Sequence, residues 1–336
     1  MSSIRVRAAV SILSMVWCAA AMAQGVGSGQ SANERPAHST DQATLLRQGS
    51  VAFDETVAAA LEVRKAKTGH LLVRPTINGH AAGCFIFDTG AGVCVVSTER
   101  VESLGLERTG EIDSVGAGGG QKSAMYRARE LRLGPVRLAD LPMMGADLSF
   151  LEPHLGEKID GVVGYGLLSR CVAELDVSKP SIALHDPAKF RLERGEWTKL
   201  DLRERVPVVE AKFEGHEGKF LLDTGSHSHL TFNEPAVRRW NLLEGRTLTD
   251  GKLGGVGGFV AAKNGTIARL EFAGATRTDV PASFAIEARG THARSDRAGT
   301  IGGGLLAGSL LIVDYAGARL AVVEPRPEKA AAQSGS

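Results

Sequence analysis

Two aspartates carry the strongest chemical signal in this chain, because each begins the same tripeptide. Asp88 and Asp223 each follow a short apolar run, at residues 85–87 and 220–222, and each precedes Thr and Gly. One Asp-Thr-Gly tripeptide is expected by chance in roughly one chain in ten or twenty at average composition. Two copies, each at the end of an apolar run, indicate a common role. Carboxylates held in this way can act as general acids or bases.

The residues after each aspartate suggest how its carboxylate is held. A carboxylate at the end of an apolar strand costs free energy to desolvate unless hydrogen bonds satisfy it. The glycine two positions later, Gly90 or Gly225, lets the backbone turn back and offer an N–H to that carboxylate.

The chain repeats itself around the two tripeptides. Three pairs of segments match in the same order, namely 79–90 with 215–225, 131–142 with 270–281, and 160–184 with 298–322. In the last pair seven of 25 positions are identical, several times the chance rate. Such an internal repeat predicts two lobes of one fold, which face each other across an approximate two-fold axis.

The elements that position the tripeptides are predicted to be strands. Short apolar or β-branched runs bounded by Gly recur in both halves. They lie at 71–77, 85–87, 93–96, 206–209, 220–222 and 230–232. Helices are predicted to be brief, at 98–104 and after Asn233, where Pro235 suits a first helical turn. We therefore predict an all-β protein with a helix or two per lobe.

Composition limits the classes of partner. The chain has 336 residues, with 39 Lys plus Arg against 38 Asp plus Glu, so its formal charge of +1 gives no sign of nucleic-acid binding. A hydrophobic content of 43% is sufficient for a globular core. The 41 glycines exceed the usual level and, without a Gly-X-Y period, favour tight turns and short strands over long helices.

The N-terminus has the order of a secretory signal peptide. Arg5 and Arg7 precede an apolar run at 8–21, and an Ala-Met-Ala site ends at Ala23. A transmembrane helix needs about 20 apolar residues, and this run is shorter. We expect cleavage near Ala23, export to the periplasm or medium, and no membrane anchor afterwards. Cys84, Cys94 and Cys171 then remain, an odd number that leaves at least one thiol unpaired.

The segment after the signal peptide is rich in Gly, Ser, Ala and Gln, which is typical of a flexible leader. Near-helical apolar spacing predicts a short helix over 54–67. Arg64, Lys65 and Lys67 are either a solvated surface or the cations of a propeptide that pairs with the aspartates. The predicted boundaries are 1–23 for the signal peptide, 24–68 for the flexible leader or possible propeptide, 69–195 and 196–325 for the N-terminal and C-terminal lobes, and 326–336 for a polar tail.

With these motifs, the chain resembles the pepsin and retropepsin family of aspartic proteases, in its bacterial, single-chain, two-lobed form. The family follows its tripeptide with a glycine-rich hairpin flap, which 115–120 and 253–259 match. It closes each lobe with two apolar residues and a Gly, which 162–164 and 300–302 match. The resemblance covers residues 70–324. It implies two retropepsin-like β-barrel lobes, related by a pseudo-two-fold axis and containing short helices.

The resemblance also implies one active site between the lobes. Asp88 and Asp223 would face each other as the catalytic dyad and share one proton, because two close carboxylates cannot both ionise. They would activate a water molecule that attacks the peptide bond. The threonines would hydrogen-bond across the interface and the glycines would supply backbone donors. These dyad supports are Thr89, Gly90, Thr224 and Gly225.

The flaps would fold over a polypeptide substrate bound as an extended strand. The substrate-binding flap residues implied in this way are Gly116, Ala117, Gly118, Gly119, Gly255, Val256, Gly257 and Gly258. The family chemistry needs no cofactor and no metal, and we expect a monomer. The chain departs from retroviral members, which carry an acidic residue four positions after the aspartate, where Gly92 and His227 stand here.

Three other interpretations remain. A peptide-binding pseudoprotease would use the same cleft without cutting, although both tripeptides are intact. His227 and His229, with His216 or His80, could bind a metal, but exposed loop histidines are the more common case. Residues 302–307 fit a dinucleotide-binding pattern, but a polar segment stands where that pattern needs a strand.

Overall fold

Strands dominate both halves of the chain. The structure, a computed structural model, describes residues 11–14, 18–19, 42–116, 119–255 and 258–325. Most of the predicted signal peptide, residues 24–41 of the leader, the tail from residue 326, and Ala117, Gly118, Val256 and Gly257 of the flaps lie outside these ranges. No described helix is both long and apolar enough to cross a membrane.

Most strands up to the end of the first lobe belong to one large sheet. In chain order they are β1 (Ser11–Ser14), β2 (Cys18–Ala19), β3 (Val51–Phe53), β4 (Arg64–Lys65), β5 (Leu71–Val73), β6 (Thr76–Ile77), β7 (His80–Ala81), β8 (Phe85–Phe87), β9 (Cys94–Ser97), β10 (Glu107–Gly116), β11 (Gly119–Leu133), β12 (Val136–Ala146), β13 (Gly161–Val163), β14 (Val172–Asp176) and β15 (Ser181–His185). Strands β2 to β13 make up this 12-stranded sheet.

The second lobe has a sheet of its own. Its strands are β16 (Thr198–Lys199), β17 (Val208–Phe213), β18 (His216–Asp223), β19 (Leu230–Phe232), β20 (Thr249–Gly255), β21 (Gly258–Phe272), β22 (Ala275–Ala285), β23 (Gly299–Gly302), β24 (Leu310–Asp314) and β25 (Arg319–Val323). Strands β17 to β23 pair with one another, and β1 adds to the edge at β20.

Three strands have the same arrangement around each aspartate. Strand β13 pairs in parallel with β8 and antiparallel with β9. Strand β23 pairs in the same way with β18 and β19. The residues of β8 are fully buried, as an apolar run paired on both sides requires. The duplication and the all-β, two-lobed fold are thereby confirmed.

A third sheet joins the lobes, with the order β15-β14-β24-β25-β16. Strand β14 of the first lobe pairs antiparallel with β24 of the second, from Val172 opposite Asp314 to Asp176 opposite Leu310. Because backbone hydrogen bonds cross between the lobes here, the positions of the two tripeptides relative to each other are fixed.

Each lobe has a long hairpin at the predicted flap position. Strand β10 pairs with β11 up to Gly116 opposite Gly119, and β20 pairs with β21 up to Gly255 opposite Gly258. Gly119 and Gly258 have φ values of 136° and 122°, a region that favours glycine. The same turn requirement therefore recurs in both lobes.

Helices are short, as predicted. They are α1 (Gln42–Leu45), α2 (Glu152–Leu155), α3 (Tyr165–Leu168) and α4 (Glu234–Arg239), with 3₁₀ turns at Thr98–Arg100, Ser149–Leu151, Gly290–Ala293 and Gly303–Leu306. The helix predicted after Asn233 is confirmed as α4. The helix predicted over 98–104 is only a 3₁₀ turn that continues as non-helical turns.

Aromatic rings fill the core of the second lobe around the strand that carries Asp223. Phe213, Phe220 and Phe232 are buried, and Phe232 stacks on Phe284 with ring centroids 5.5 Å apart. The centroids of Phe213 and Phe232 are 4.9 Å apart. Removing one such ring typically costs about 3–5 kcal/mol, so this cluster holds β18 firmly in place.

The leader differs from its prediction where the structure describes it. The helix predicted over 54–67 is wrong, because this segment consists of turns, irregular backbone and β4. It also bonds to the edge of β15: Leu61 N–H donates to Ile182 O at 2.8 Å, and Leu184 N–H donates to Ala59 O at 2.9 Å. Strands β3 and β4 add to the sheet of the first lobe. The segment therefore pairs with free backbone N–H and C=O groups at the sheet edges instead of forming the helix that its apolar spacing predicted.

Two basic residues of the leader contact groups other than the aspartates. Arg64 pairs with Glu157 at 2.7 Å, and Lys65 Nζ donates to Val177 O at 3.0 Å. Cys84, Cys94 and Cys171 are buried free thiols.

Candidate active site

The two aspartates leave their strands at the interface between the lobes. Asp88 directly follows β8, and its N–H donates to Val163 O of β13 at 2.9 Å. Asp223 is the last residue of β18, opposite Gly302 of β23. Each aspartate is therefore anchored by the closing motif of its own lobe.

The two threonines bond across the interface. Thr89 N–H donates to Thr224 Oγ1 at 3.1 Å, and Thr224 N–H donates to Thr89 Oγ1 at 3.0 Å. The hydroxyl of Thr89 donates to Leu222 O at 2.9 Å, and that of Thr224 donates to Phe87 O at 3.1 Å. All four bonds are buried, so the two tripeptides are held as one unit.

Each carboxylate lies against the glycine of the opposite lobe. A Cβ atom added to Gly90 would lie 2.6 Å from Asp223 Cγ, and one added to Gly225 would lie 2.3 Å from Asp88 Cγ. Both distances are shorter than any normal contact between carbon atoms. Glycine is required at both positions because a larger residue would displace the carboxylate of the other lobe.

The carboxylates are fully buried and only partly satisfied. Gly90 N–H donates to Asp88 Oδ1 at 2.7 Å, as the tripeptide predicts. Asp88 Oδ2 and both oxygens of Asp223 have no hydrogen bond of regular geometry within the described residues. The two carboxyls and the nearby N–H groups of the second tripeptide therefore interact at geometries outside the regular range.

Burial and mutual repulsion perturb the ionisation of the pair. Burial raises the pKa of Asp88 well above its usual range, and the negative charge of Asp223 raises it further. Burial also raises the pKa of Asp223, although its hydrogen bond with Asp88 and the N–H groups of Gly225 and Ser226 oppose this effect. The pair therefore retains a proton at pH values where isolated carboxylates are ionised.

Two buried side chains at the tripeptides were missed by the sequence analysis. The hydroxyl of Tyr315 donates to Thr89 O at 2.7 Å. The Nε2 atom of His70 lies 2.9 Å from Gly225 O, and its ring centroid is 6.1 Å from that of His227. The one available signal was the repeat itself, in which Tyr315 stands opposite Val177.

The described flap residues lie at the hairpin ends, and the structure shows no direct bond from them to the aspartates within the described residues. Gly116, Gly119, Gly255 and Gly258 close the two ladders. Phe259, next to the second tip, packs over Gly254 of the facing strand and remains 48% exposed. Among the described residues of the second flap, Phe259 thus presents a large and partly exposed apolar ring.

The histidines considered as metal ligands do not converge. No group of three or more His, Cys, Asp or Glu side chains in the described ranges is arranged to bind a metal ion. His216 instead stacks on Trp240, with ring centroids 5.5 Å apart. This contact gives His216 a structural role in the second lobe.

One of three comparisons with known proteins shows the family of this chain. A family model described as aspartyl protease matches residues 73–167 and 209–306, more than half of the chain. Each matched segment contains one tripeptide and its closing motif. No curated protein matches the chain. The crystal structure of basic 7S globulin from soybean is similar over 80% of this chain and 94% of that chain, with 10% sequence identity and a TM-score of 0.47.

Proposed function

Since the chain belongs to the aspartyl protease family, we propose that it is an exported endopeptidase that cuts peptide bonds with a water molecule activated between Asp88 and Asp223. The observation that carries this proposal is the buried pair itself. Two carboxylates with raised pKa values are held at the lobe interface by reciprocal threonine bonds. Both tripeptides are complete, so every group that the reaction needs has a candidate.

The chemistry follows from one proton shared by two carboxylates. The ionised carboxylate takes a proton from the water molecule, whose oxygen attacks the carbonyl carbon of the peptide bond. The protonated carboxylate donates a hydrogen bond to the developing oxyanion. A proton then passes to the leaving amine as the C–N bond breaks. Burial supports each step, because charge interactions are stronger where water is excluded.

The substrate is proposed to be a polypeptide in an extended conformation. The flap hairpins β10–β11 and β20–β21 end in glycines, whose backbone groups can pair with a peptide strand. Closure of the flaps would exclude water from the dyad. The exposed ring of Phe259 adds an apolar contact beside the second flap.

Export and processing are part of the proposal. Cleavage near Ala23 would release a monomeric chain to the periplasm or medium, with a leader at 24–68, lobes at 69–195 and 196–325, and a tail from 326. Since β3 and β4 belong to the sheet of the first lobe, we propose that residues 51–68 stay attached in the active protein.

The test is digestion of an unfolded protein and a peptide library at several pH values between 3 and 8. We expect the chain from residue 24 to cut, and Asp88→Asn and Asp223→Asn to lose activity by several orders of magnitude. The same fragments from all three proteins would contradict the dyad. Peptide retention without cleavage by any of them would instead indicate a peptide-binding pseudoprotease.

A further inference from the structure

One peptide group connects Tyr315 to the first carboxylate. The hydroxyl of Tyr315, in the second lobe, donates to Thr89 O at 2.7 Å. The N–H of the same peptide group belongs to Gly90 and donates to Asp88 Oδ1 at 2.7 Å. A hydrogen bond accepted by a carbonyl polarises its amide and strengthens the bond that its N–H donates. Tyr315 therefore acts on Asp88 without touching it.

A second peptide group connects His70 to the other carboxylate. His70 Nε2 donates to Gly225 O at 2.9 Å, while Nδ1 lies 2.6 Å from the hydroxyl of Thr68. The N–H of this peptide group belongs to Ser226; it donates to the backbone carbonyl of Asp223 at 3.2 Å and also lowers the pKa of the Asp223 carboxyl. His70 belongs to the first lobe, so the two contacts are reciprocal across the interface.

Both side chains stay uncharged where they lie. Burial, the charges of Asp88 and Asp223, and Tyr165 raise the pKa of Tyr315 well above its usual range. Burial, with a smaller effect of His227, lowers the pKa of His70 to about 4, although its bond to Gly225 O opposes the shift. Each therefore acts as a neutral hydrogen-bond donor over most of the pH range.

The internal repeat shows that packing alone does not require these residues. Tyr315 follows Asp314 as Val177 follows Asp176 in the first copy. Strand pairing places Leu72 opposite Ile86 and Val208 opposite Leu221, so His70 corresponds to Val206. Valine fills both equivalent positions, and each is buried. The polar groups of Tyr315 and His70 are thus additions to a site that an apolar side chain can fill.

We propose that Tyr315 and His70 are positioning residues, each of which reaches across the lobe interface and polarises a peptide N–H that faces the dyad. This proposal rests on the proposed protease activity. Tyr315 and His70 lie outside the Asp-Thr-Gly tripeptides, and they affect the carboxylates rather than the bound peptide.

The first test compares Tyr315→Phe with Tyr165→Phe. Each variant loses one hydroxyl, and the two rings are neighbours with centroids 6.0 Å apart. Of these two hydroxyls, that of Tyr315 donates to a tripeptide carbonyl. We expect Tyr315→Phe to lower kcat about tenfold and to leave KM within about twofold. A loss of this size is typical when a hydrogen bond that orients a group at the reacting centre is removed. The acid limb of its pH profile should move to higher pH, because Asp88 is less well stabilised as the anion. Tyr165→Phe should match wild type.

The second test compares His70→Gln with His70→Val. The amide of Gln can donate close to the Nε2 position, so His70→Gln should keep kcat within about threefold, whereas His70→Val should lose about tenfold. Equal kcat values for the two variants would overturn the role of His70. If His70→Val does not fold, a tenfold loss in His70→Gln would overturn it equally.

A titration independent of cleavage completes the test. Protein labelled with ¹³C at the aspartate carboxyl carbons is titrated by NMR, with Asp88→Asn and Asp223→Asn to assign the signals. The Asp88 signal in Tyr315→Phe should titrate at higher pH than in wild type or Tyr165→Phe. An unchanged titration overturns the proposal even if kcat falls. Wild type that cuts no peptide would contradict the protease function, while this titration would still decide the positioning role.

Discussion

The N–H of Thr224 donates to the hydroxyl of Thr89 at 3.0 Å, and that hydroxyl donates onward to Leu222 O at 2.9 Å. Each threonine is thus donor and acceptor to the opposite lobe. Neither tripeptide can move without breaking bonds in both lobes. The geometry of the dyad and the stability of the interface therefore depend on the same four hydrogen bonds.

Thr89→Val should reduce stability and activity together. The substitution keeps the shape of the side chain but leaves buried backbone groups of Thr224 and Leu222 without a partner, at about 1–3 kcal/mol each. We expect the free energy of unfolding in urea to fall by about 2–4 kcal/mol. Thr56→Val is the control, since Thr56 is exposed and its hydrogen bonds within the described ranges go to Asp54. Equal losses in both variants would contradict the role of the interface.

Gly225→Ala should abolish cleavage without unfolding the protein. Its Cβ would lie 2.3 Å from Asp88 Cγ, so the carboxylate must move. A displacement of about 1 Å at reacting groups costs about 100-fold in rate, and we expect at least that loss in kcat. The measurement is steady-state cleavage beside circular dichroism of the folded state.

Gly215→Ala separates this contact from backbone strain. Gly215 has a φ of 83° with no atom within 4 Å of an added Cβ. Its substitution should cost about 1–2 kcal/mol of stability and leave kcat unchanged. An active Gly225→Ala variant would show that the carboxylates do not need this close approach.

The sequence was sufficient to predict the strands, the repeat and both tripeptides, because these are local patterns repeated at a fixed spacing. It was not sufficient for Tyr315 and His70, whose contacts with Thr89 and Gly225 span 226 and 155 residues. A single buried Tyr or His has no periodic signature. The prediction of a leader helix was wrong for the same reason. The apolar spacing of residues 54–67 carries no information on β15, the distant strand to which this segment bonds.

The buried dyad should make the protein less stable as pH rises. The pKa values of Asp88 and Asp223 are raised above those of the unfolded chain, so the folded state binds protons more tightly. The stabilisation is complete below about pH 4, the ordinary pKa of Asp, and is lost as pH rises through the folded pKa values. Urea unfolding of wild type should therefore lose stability relative to Asp223→Asn between pH 4 and pH 8.

Asp201→Asn provides the matched control for this titration. Hydrogen bonds from Arg203 lower the pKa of Asp201 to about 2, so its contribution changes only below about pH 4. The difference in stability between wild type and Asp201→Asn should stay constant from pH 4 to pH 8. A flat difference for Asp223→Asn as well would contradict the raised pKa values of the pair.

His292 should weaken the protein in acid, and its replacement by Leu should stabilise it. The side chain is buried, and neither ring nitrogen has a hydrogen-bond partner among the described residues. Burial lowers its pKa to about 4, so its contribution to stability is complete above about pH 6.5 and is lost as pH falls through 4.

His292→Leu removes two unsatisfied groups, and we expect a gain of about 1–3 kcal/mol at pH 7 in urea unfolding. The gain should grow further towards pH 4, because the variant no longer takes up this proton on unfolding. The same substitution at the exposed His80 should leave the free energy of unfolding at pH 7 unchanged. A destabilised His292→Leu would show that the ring nitrogens are satisfied in solution.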